Sequence, residues 1–450
     1  MSTTIINYPH PPDSYTIETA SRETIAAIQN QGFQRLLNSA WHKVPFYRRR
    51  WQAEGIDISR IRDMEDIQKL PIISKEDLEQ SLRDFPPFGD YQGDYPCYRI
   101  QASSGSTGFP KPIFHTARDW DIITNFWARR LAAQGVLQGD LVQIAFTYAP
   151  FIVGFTSTEG ALKLGATIIP AGSGAVTPSE RQVEIAHRWG TTVIGTTGAY
   201  ALRLAEVAEE MGYDLKKDFK IKAMFHTAES LTEEMRDRIE GKWGCKSYNN
   251  YGSVETGAPA WECREQNGMH INEDGYFFEV VDPVSKQSLP DGKEGALVIT
   301  SLFKEAAPVI RYMIGDIATI VNTPCKCGCT FRRIIKIAGR TDEMLKVKGI
   351  TVYPTAVEGA LHRLPEIGNE YRIVIDKVND QDHIILQVET DLLGEKQKEL
   401  HQKIKHSLKT QVGIQVPVEF FSPGELQKEL NVDQRIKSRR ILDRRKNSGG

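Results

Sequence analysis

The stretch Ser103-Ser104-Gly105-Ser106-Thr107-Gly108-Phe109-Pro110-Lys111 decides how the rest of the 450-residue chain is read. Its first six residues carry four hydroxyls and two glycines, which suits a loop whose N–H groups and hydroxyls surround phosphate oxygens. It lacks the G-x-x-x-x-G-K-[ST] order of a Walker A loop. A Ser/Gly-rich stretch is more often a flexible linker, so its meaning depends on what surrounds it. On its C-terminal side the pattern predicts helices over 120–134, 159–164, 178–189 and 200–211. Strands are predicted between them, over 141–146, 166–170, 192–195 and 223–227. That alternation predicts α/β layers with mainly parallel strands. On the N-terminal side, 22–54 has helical apolar spacing and 56–82 reads as short connected helices. Ser74-Lys75-Glu76-Asp77 supplies a helix N-cap there.

Beyond Gly257 the texture changes. Runs at 277–282, 295–300 and 316–321 read as strands of a smaller antiparallel or barrel-like unit, about residues 258–338. From 340 onward the pattern is that of a small α+β domain: strands at 372–376 and 383–390, a helix over 394–412, a strand at 417–421 and a basic tail. The expected division is therefore 1–339 and 340–450. Hydrophobic residues at 40% and charged residues at 25% match an ordinary globular protein, and the net charge of -2 excludes a global basic field for nucleic acid or anionic membrane. The uncharged run 141–158 reads as buried strand and turn, with no membrane span expected. Six cysteines in 450 residues do not make a disulfide framework, and 1–14 has no signal-peptide plan, so a cytoplasmic setting is expected.

Three further pieces carry chemistry. Tyr251-Gly252-Ser253-Val254-Glu255-Thr256-Gly257 combines a ring, a glycine turn and a lone acid, a set able to stack a base and hold a divalent cation; by itself it is an ordinary turn. Arg311-Tyr312-Met313-Ile314-Gly315-Asp316 and Gly339-Arg340-Thr341-Asp342-Glu343 offer a carboxylate after a glycine turn and an arginine, suited to ribose hydroxyls.

In order and spacing, these four pieces resemble the adenylate-forming superfamily of acyl-CoA synthetases, peptide-synthetase adenylation domains and luciferases. Within it the chain resembles the phenylacetate-CoA ligase family. Ala40-Trp41-His42-Lys43-Val44-Pro45-Phe46-Tyr47-Arg48 is similar to that family's opening. Leu70-Pro71-Ile72-Ile73-Ser74-Lys75-Glu76-Asp77-Leu78 continues it, and Gly349-Ile350-Thr351-Val352-Tyr353-Pro354 resembles its inter-domain junction. The resemblance implies a large α/β adenylation domain followed by a mobile C-terminal domain. It implies an AMP-forming ligase that activates an aryl or arylacetic acid and passes the acyl group to coenzyme A. Ser103, Ser104, Gly105, Ser106, Thr107, Gly108 and Lys111 would grip ATP, and Ala228-Glu229-Ser230 would form the adenine-side turn, with Ser230 where the family usually has proline. Tyr251, with Gly252 and Ser253, would flank adenine. Glu255 would bind Mg²⁺, Asp316 and Arg340 would hold the ribose, and Asp342 would be the hinge. Lys437, in Ile436-Lys437-Ser438-Arg439-Arg440-Ile441-Leu442-Asp443, would be the catalytic lysine, although Ile436 stands where glycine is usual.

Cys325-Lys326-Cys327-Gly328-Cys329, with Cys263 and His270, makes a plausible tetrahedral zinc set of Cys263, His270, Cys325 and Cys327, with Cys329 as spare; the alternative is free thiols. Some members of the resembled family carry a similar set. With four protein ligands such a site is structural. The resemblance sets the acid pocket at Phe146, Tyr148, Phe151, Ala171, Gly172, Gly174 and Phe225, residues that by type alone are more often core. His115 and His226 are expected to be satisfied structural histidines, and Cys97 and Cys245 to be packing residues. The expected partners are a small carboxylic acid, ATP and coenzyme A, with a homodimer among the arrangements the family adopts. Transfer to an amine or to a carrier-protein pantetheine stays open, as does a non-catalytic nucleotide- or zinc-binding protein of the same fold.

Overall fold

The structure is a computed structural model that describes residues 17–103, 110–347, 350–368, 370–378, 381–430 and 440–444. The chain forms two compact units from interleaved segments: residues 1–170 with 248–337, and residues 171–247 with 338–450.

In the first unit, local capping chemistry sets where helices begin. Ser21 accepts from the Thr24 N–H ahead of Arg22–Lys43, and reciprocal capping boxes, Ser74 with Asp77 and Thr116 with Asp119, open Lys75–Asp84 and Ala117–Ala133. The helix Ile152–Lys163 begins seven residues earlier than the expected 159. Its first turn is rich in β-branched and aromatic residues, which read as strand in the sequence. The hydroxyls of Thr156, Ser157 and Thr158 donate back to the carbonyls of Ile152, Val153 and Gly154, so polar side chains are satisfied inside a buried helix. Leu141–Ile144 pairs in parallel with Thr167–Ile169. The antiparallel texture expected after 257 is present: Tyr276–Val281 pairs with Glu294–Ser301, which pairs with Tyr312–Val321. Met269–Ile271 pairs with both Arg333–Arg340 and Ala260–Glu262, and the latter meets Lys246–Tyr251.

In the second unit, Val193–Gly195 lies parallel to Ala223–His226, with the helices Ser179–Trp189 and Gly198–Glu210 as expected. A further helix, Glu233–Trp243, capped by Thr232, was not expected from the sequence. The C-terminal part carries a four-stranded sheet in the order Val418–Phe421, Gln381–Glu389, Tyr371–Val378, Ile441–Asp443; the two outer pairings are parallel and the central one antiparallel. The helices Pro354–His362 and Glu395–Gln411 pack on it through a core that includes Val357, Leu361, Ile373, Leu386, Leu400, Ile404 and Leu408. The segment expected as a basic tail thus contributes Ile441–Asp443, an edge strand of that sheet. Among the described residues, no helix is long and apolar enough to cross a membrane.

Candidate active site

The serine- and glycine-rich stretch joins two paired strands, Arg99–Ala102 and Pro112–His115, in antiparallel register with Ala102 opposite Pro112. Its ends are clasped together: the Ser103 N–H donates to the Lys111 carbonyl at 3.2 Å, and the Lys111 N–H to Ser103 Oγ at 3.3 Å. Ser104, Gly105, Ser106, Thr107 and Gly108 lie outside the described residues.

Lys111 Nζ stands 2.7 Å from Glu255 Oε1, and both side chains are buried. Burial alone would raise the Glu255 carboxyl, but the Lys111 ammonium, together with hydrogen bonds from the turn's backbone and Ser253, holds the group at about 2, so the acid is ionised at any working pH. A third residue, with no sequence signal of its own, completes this arrangement. Lys304, 2% exposed, donates from Nζ to the Glu255 backbone carbonyl at 2.9 Å, and burial pushes it down to about 8. The turn bearing Glu255 is closed by Ser253 and Thr256, whose hydroxyls are 3.0 Å apart. It needs glycine at 252, where a Cβ would fall 2.2 Å from the Gly257 carbonyl oxygen. Tyr251 donates its hydroxyl to Asp316 Oδ2 at 2.5 Å, which brings the expected adenine-stacking ring and the expected ribose acid side by side.

The remaining predicted residues are distributed as follows. Phe146 is buried and Tyr148 is bonded to Thr158 Oγ1 at 2.7 Å; Phe151 is the residue before the helix Ile152–Lys163. These three belong to the first unit, whereas Ala171, Gly172, Gly174 and Phe225 belong to the second. In the second unit Ala228 adopts φ 75, a left-handed turn, ahead of half-buried Glu229 and exposed Ser230. Arg340 Nε donates to Asp342 Oδ1 at 2.9 Å. Lys437 lies outside the described residues.

The sulfur and imidazole atoms of Cys263, His270, Cys325 and Cys327 all fall within 4.8 Å of one another. Cys263 Sγ is 3.8 Å from Cys325 Sγ, and Cys327 Sγ is 3.4 Å from His270 Nε2. A tetrahedral zinc site with ordinary bond lengths has S–S edges of about 3.8 Å and S–N edges of about 3.6 Å. Two of the six donor pairs therefore already stand close to the edge lengths of such a tetrahedron. His270 Nδ1 faces the Phe331 carbonyl at 3.4 Å, a contact of the kind that would orient the ring if it held a metal. Cys329 packs instead with Ile25 and Phe331, and its N–H donates to Cys327 Sγ at 3.5 Å.

The two other histidines differ from one another. His226 is satisfied on both sides, by the Thr196 carbonyl at 3.0 Å and Ser247 Oγ at 2.6 Å. His115 is buried edge-on against Trp120, and among the described residues neither ring nitrogen has a hydrogen-bond partner, so the expected satisfaction is not seen there. Cys245 is buried as expected, but Cys97 is exposed because its segment runs along the surface ahead of the hairpin.

A family profile described as AMP-binding enzyme matches residues 54–303, and one described as AMP-binding enzyme C-terminal domain matches 349–445. The phenylacetate-coenzyme A ligase of Thermus thermophilus is 35% identical over 96% of this chain and 99% of its own length. The enzyme of the same name from Aromatoleum evansii is 32% identical over 98% of this chain and 99% of its own. Among solved structures, a 2-hydroxyisobutyryl-CoA ligase in the postadenylation state matches with TM-score 0.90 and 29% identity, covering 98% of this chain and 95% of that one. The same ligase in the thioesterification state matches with TM-score 0.72 over 97% and 94%. The fold and paired motifs are those of an AMP-forming acid–CoA ligase, an enzyme of the adenylate-forming superfamily. Within that class the chain belongs to the phenylacetate-CoA ligase family.

Proposed function

We propose that this enzyme activates an aryl or arylacetic acid with ATP, releasing pyrophosphate, and transfers the acyl group from the adenylate to the thiol of coenzyme A. The carrying observation is the buried Lys111–Glu255 pair on a closed turn that also presents Tyr251 bonded to Asp316. An ammonium, an ionised acid, a ring face and a second acid follow one another in the order phosphate, metal, base, ribose.

The acid's carboxylate attacks the α-phosphorus of ATP, and negative charge grows on the phosphate oxygens. Lys111 faces that charge at the foot of the 103–111 loop, and Lys437 is assigned to it from the C-terminal segment. Glu255 would hold the Mg²⁺ that accompanies ATP: the carboxylate is buried, kept ionised and already faced by a cation, Lys111. When bound, that ion neutralises phosphate charge and orients the triphosphate. Asp316 and Arg340 are assigned to the ribose, and Ala228, Glu229 and Ser230 to the adenine edge. Residues 340–450 act as the mobile domain, turning about Asp342 between the two half-reactions. The acid side is assigned to Phe146, Tyr148, Phe151, Ala171, Gly172, Gly174 and Phe225.

Cys263, His270, Cys325 and Cys327 would hold a structural Zn²⁺, fastening the turn after Ala260–Glu262 to the 325–329 loop; the ion would supply no chemistry to the acid. The reduced thiols such a site requires accord with the cytoplasmic setting expected from the sequence. Metal analysis of purified protein is expected to find about one zinc per chain, lost in Cys325→Ser. Unchanged zinc in that variant removes Cys325 from the set.

Acid-dependent exchange of labelled pyrophosphate into ATP tests the reading. A panel of benzoates, arylacetates and 2-hydroxyisobutyrate is followed by offering coenzyme A, amines or carrier protein. Exchange with an aryl or arylacetic acid and a coenzyme A thioester product are expected. Absence of exchange with every acid overturns the reading, and a product formed only on an amine or carrier protein overturns the acceptor.

A further inference from the structure

Arg440 is a large buried cation in a segment whose sequence is that of a solvated basic tail. It is 9% exposed. Its Nη1 donates to Glu358 Oε1 at 2.7 Å, its Nη2 lies 3.3 Å from both oxygens of Glu370, and its guanidinium sits 4.8 Å over the Tyr371 ring. Its backbone carbonyl accepts from the Ile373 N–H at 2.7 Å, at the start of the strand Ile441–Asp443. These holds on the residue come from the C-terminal fold: the helix Pro354–His362, the approach to the strand Tyr371–Val378, and that strand itself.

The same cluster also faces outward. Glu229, in the adenine-side turn, acts electrostatically on both Arg440 and Glu358. The helix carrying Glu358 abuts the helix Glu233–Trp243, where Arg363 Nη2 lies 2.7 Å from Glu234 and Gly359 faces the Glu234 carboxylate. A separate apolar core, from Val357 to Leu408, already holds the small fold together. Replacing a buried ion cluster by apolar residues is often neutral for stability, so its best-attested use is to fix one arrangement over another. Over the whole chain, the match to the 2-hydroxyisobutyryl-CoA ligase is better for its postadenylation state than for its thioesterification state.

We propose that Arg440 is a positioning residue for adenylation: held by Glu358 and Glu370, it anchors the chain that carries Lys437 and registers the C-terminal fold against the Glu229 turn. Lys437 is three residues upstream in the sequence. In the thioester-forming step Lys437 has no role, and the anchor is dispensable. The assignment rests on the ligase reading above.

The test uses the full-length enzyme and separates the half-reactions: acid-dependent pyrophosphate exchange, and coenzyme A attack on chemically prepared acyl-adenylate. Arg440→Gln is expected to lower exchange about 100-fold while changing thiolysis less than about threefold, since a small misplacement of a reacting group can have that effect. Glu358→Gln, isosteric and still leaving Glu370 on Arg440, is expected to show the same split at about tenfold, and covers the case in which the first variant does not fold. Arg440→Lys is expected to recover only part of the exchange, because an ammonium cannot span both carboxylates. Equal loss in the two half-reactions, or no loss in either, overturns the assignment while leaving the ligase reading intact. Wild-type protein without exchange on any acid overturns both.

Discussion

Around Glu255 one carboxylate meets two lysines, Lys111 at its oxygen and Lys304 at its backbone carbonyl; around Arg440 one guanidinium meets Glu358 and Glu370, with Glu229 acting on it as well. Burial is similar in the two places, and the outcome is opposite. The Glu255 acid is held at about 2, whereas Glu358 is pushed up to about 7 by burial, helped by Glu229 and only partly opposed by Arg440. Local charge balance decides which way a buried acid goes. A buried acid faced by two lysines, with Asp119 also acting on Lys304, keeps cations within reach of a polyanion such as ATP. A cluster with surplus negative charge grips its own arginine and has no place for one. The first reads as a binding site and the second as a clamp.

The largest effect expected from breaking this contrast is at Glu255. Glu255→Gln should lower pyrophosphate exchange by about 100- to 1000-fold, and should also destabilise the fold by about 3 kcal/mol, because Lys111 stays buried without its acid. Exchange rates and urea denaturation together check it; a variant with full activity would dissolve the distinction. Removing the cation instead should convert one kind of cluster toward the other. In Lys111→Met burial is unopposed by that ammonium, the Glu255 carboxyl rises, and residual exchange should fall with decreasing pH at values where the wild type is flat. A pH–rate profile measures it.

His226 sharpens the comparison, since it is buried and bonded but uncharged. Burial holds it at about 4 against an ordinary 6.5. The unfolded chain takes up a proton that the folded one refuses, so the stability this group contributes is present above 6.5 and lost as pH falls toward 4. About 3 kcal/mol is at stake. Unfolding midpoints across that window should fall less steeply in His226→Asn. The smallest effect belongs to Arg363→Ala, which removes a largely exposed partner from Glu234; less than about 1 kcal/mol in denaturation is expected. A larger loss would mean that the clamp extends to the surface.

Much of this was legible in the residues. Ser74 and Thr116 carry their cap signatures locally, the alternation after Asp119 announced parallel α/β layers, and Cys325 and Cys327 stood out by their spacing, with Cys263 and His270 brought beside them in the fold. What was not legible depended on distance. Lys304 is 49 residues from Glu255 in sequence and carries no motif. The helix Glu233–Trp243 buries Met235, Ile239 and Trp243 at four-residue intervals among many charges, and the polar background hid that stripe. The start at Ile152 was missed because hydroxyls that look like turn formers are satisfied by the helix's own carbonyls. Arg440 looked like one of several tail cations, and its burial against Glu358 and Glu370 depends on tertiary packing that no local pattern announces.

The strand pair Val193–Gly195 and Ala223–His226 sets Gly195 opposite Phe225, and a methyl group at 195 would come 2.1 Å from the tip of the Phe225 ring. The orientation of that ring is therefore decided by an absent side chain on the neighbouring strand. On the proposed assignment of Phe225 to the acid pocket, a single carbon added at 195 would tilt the ring and re-tune which acids are accepted without touching a nucleotide contact. Selectivity in such an enzyme is adjustable from behind the wall.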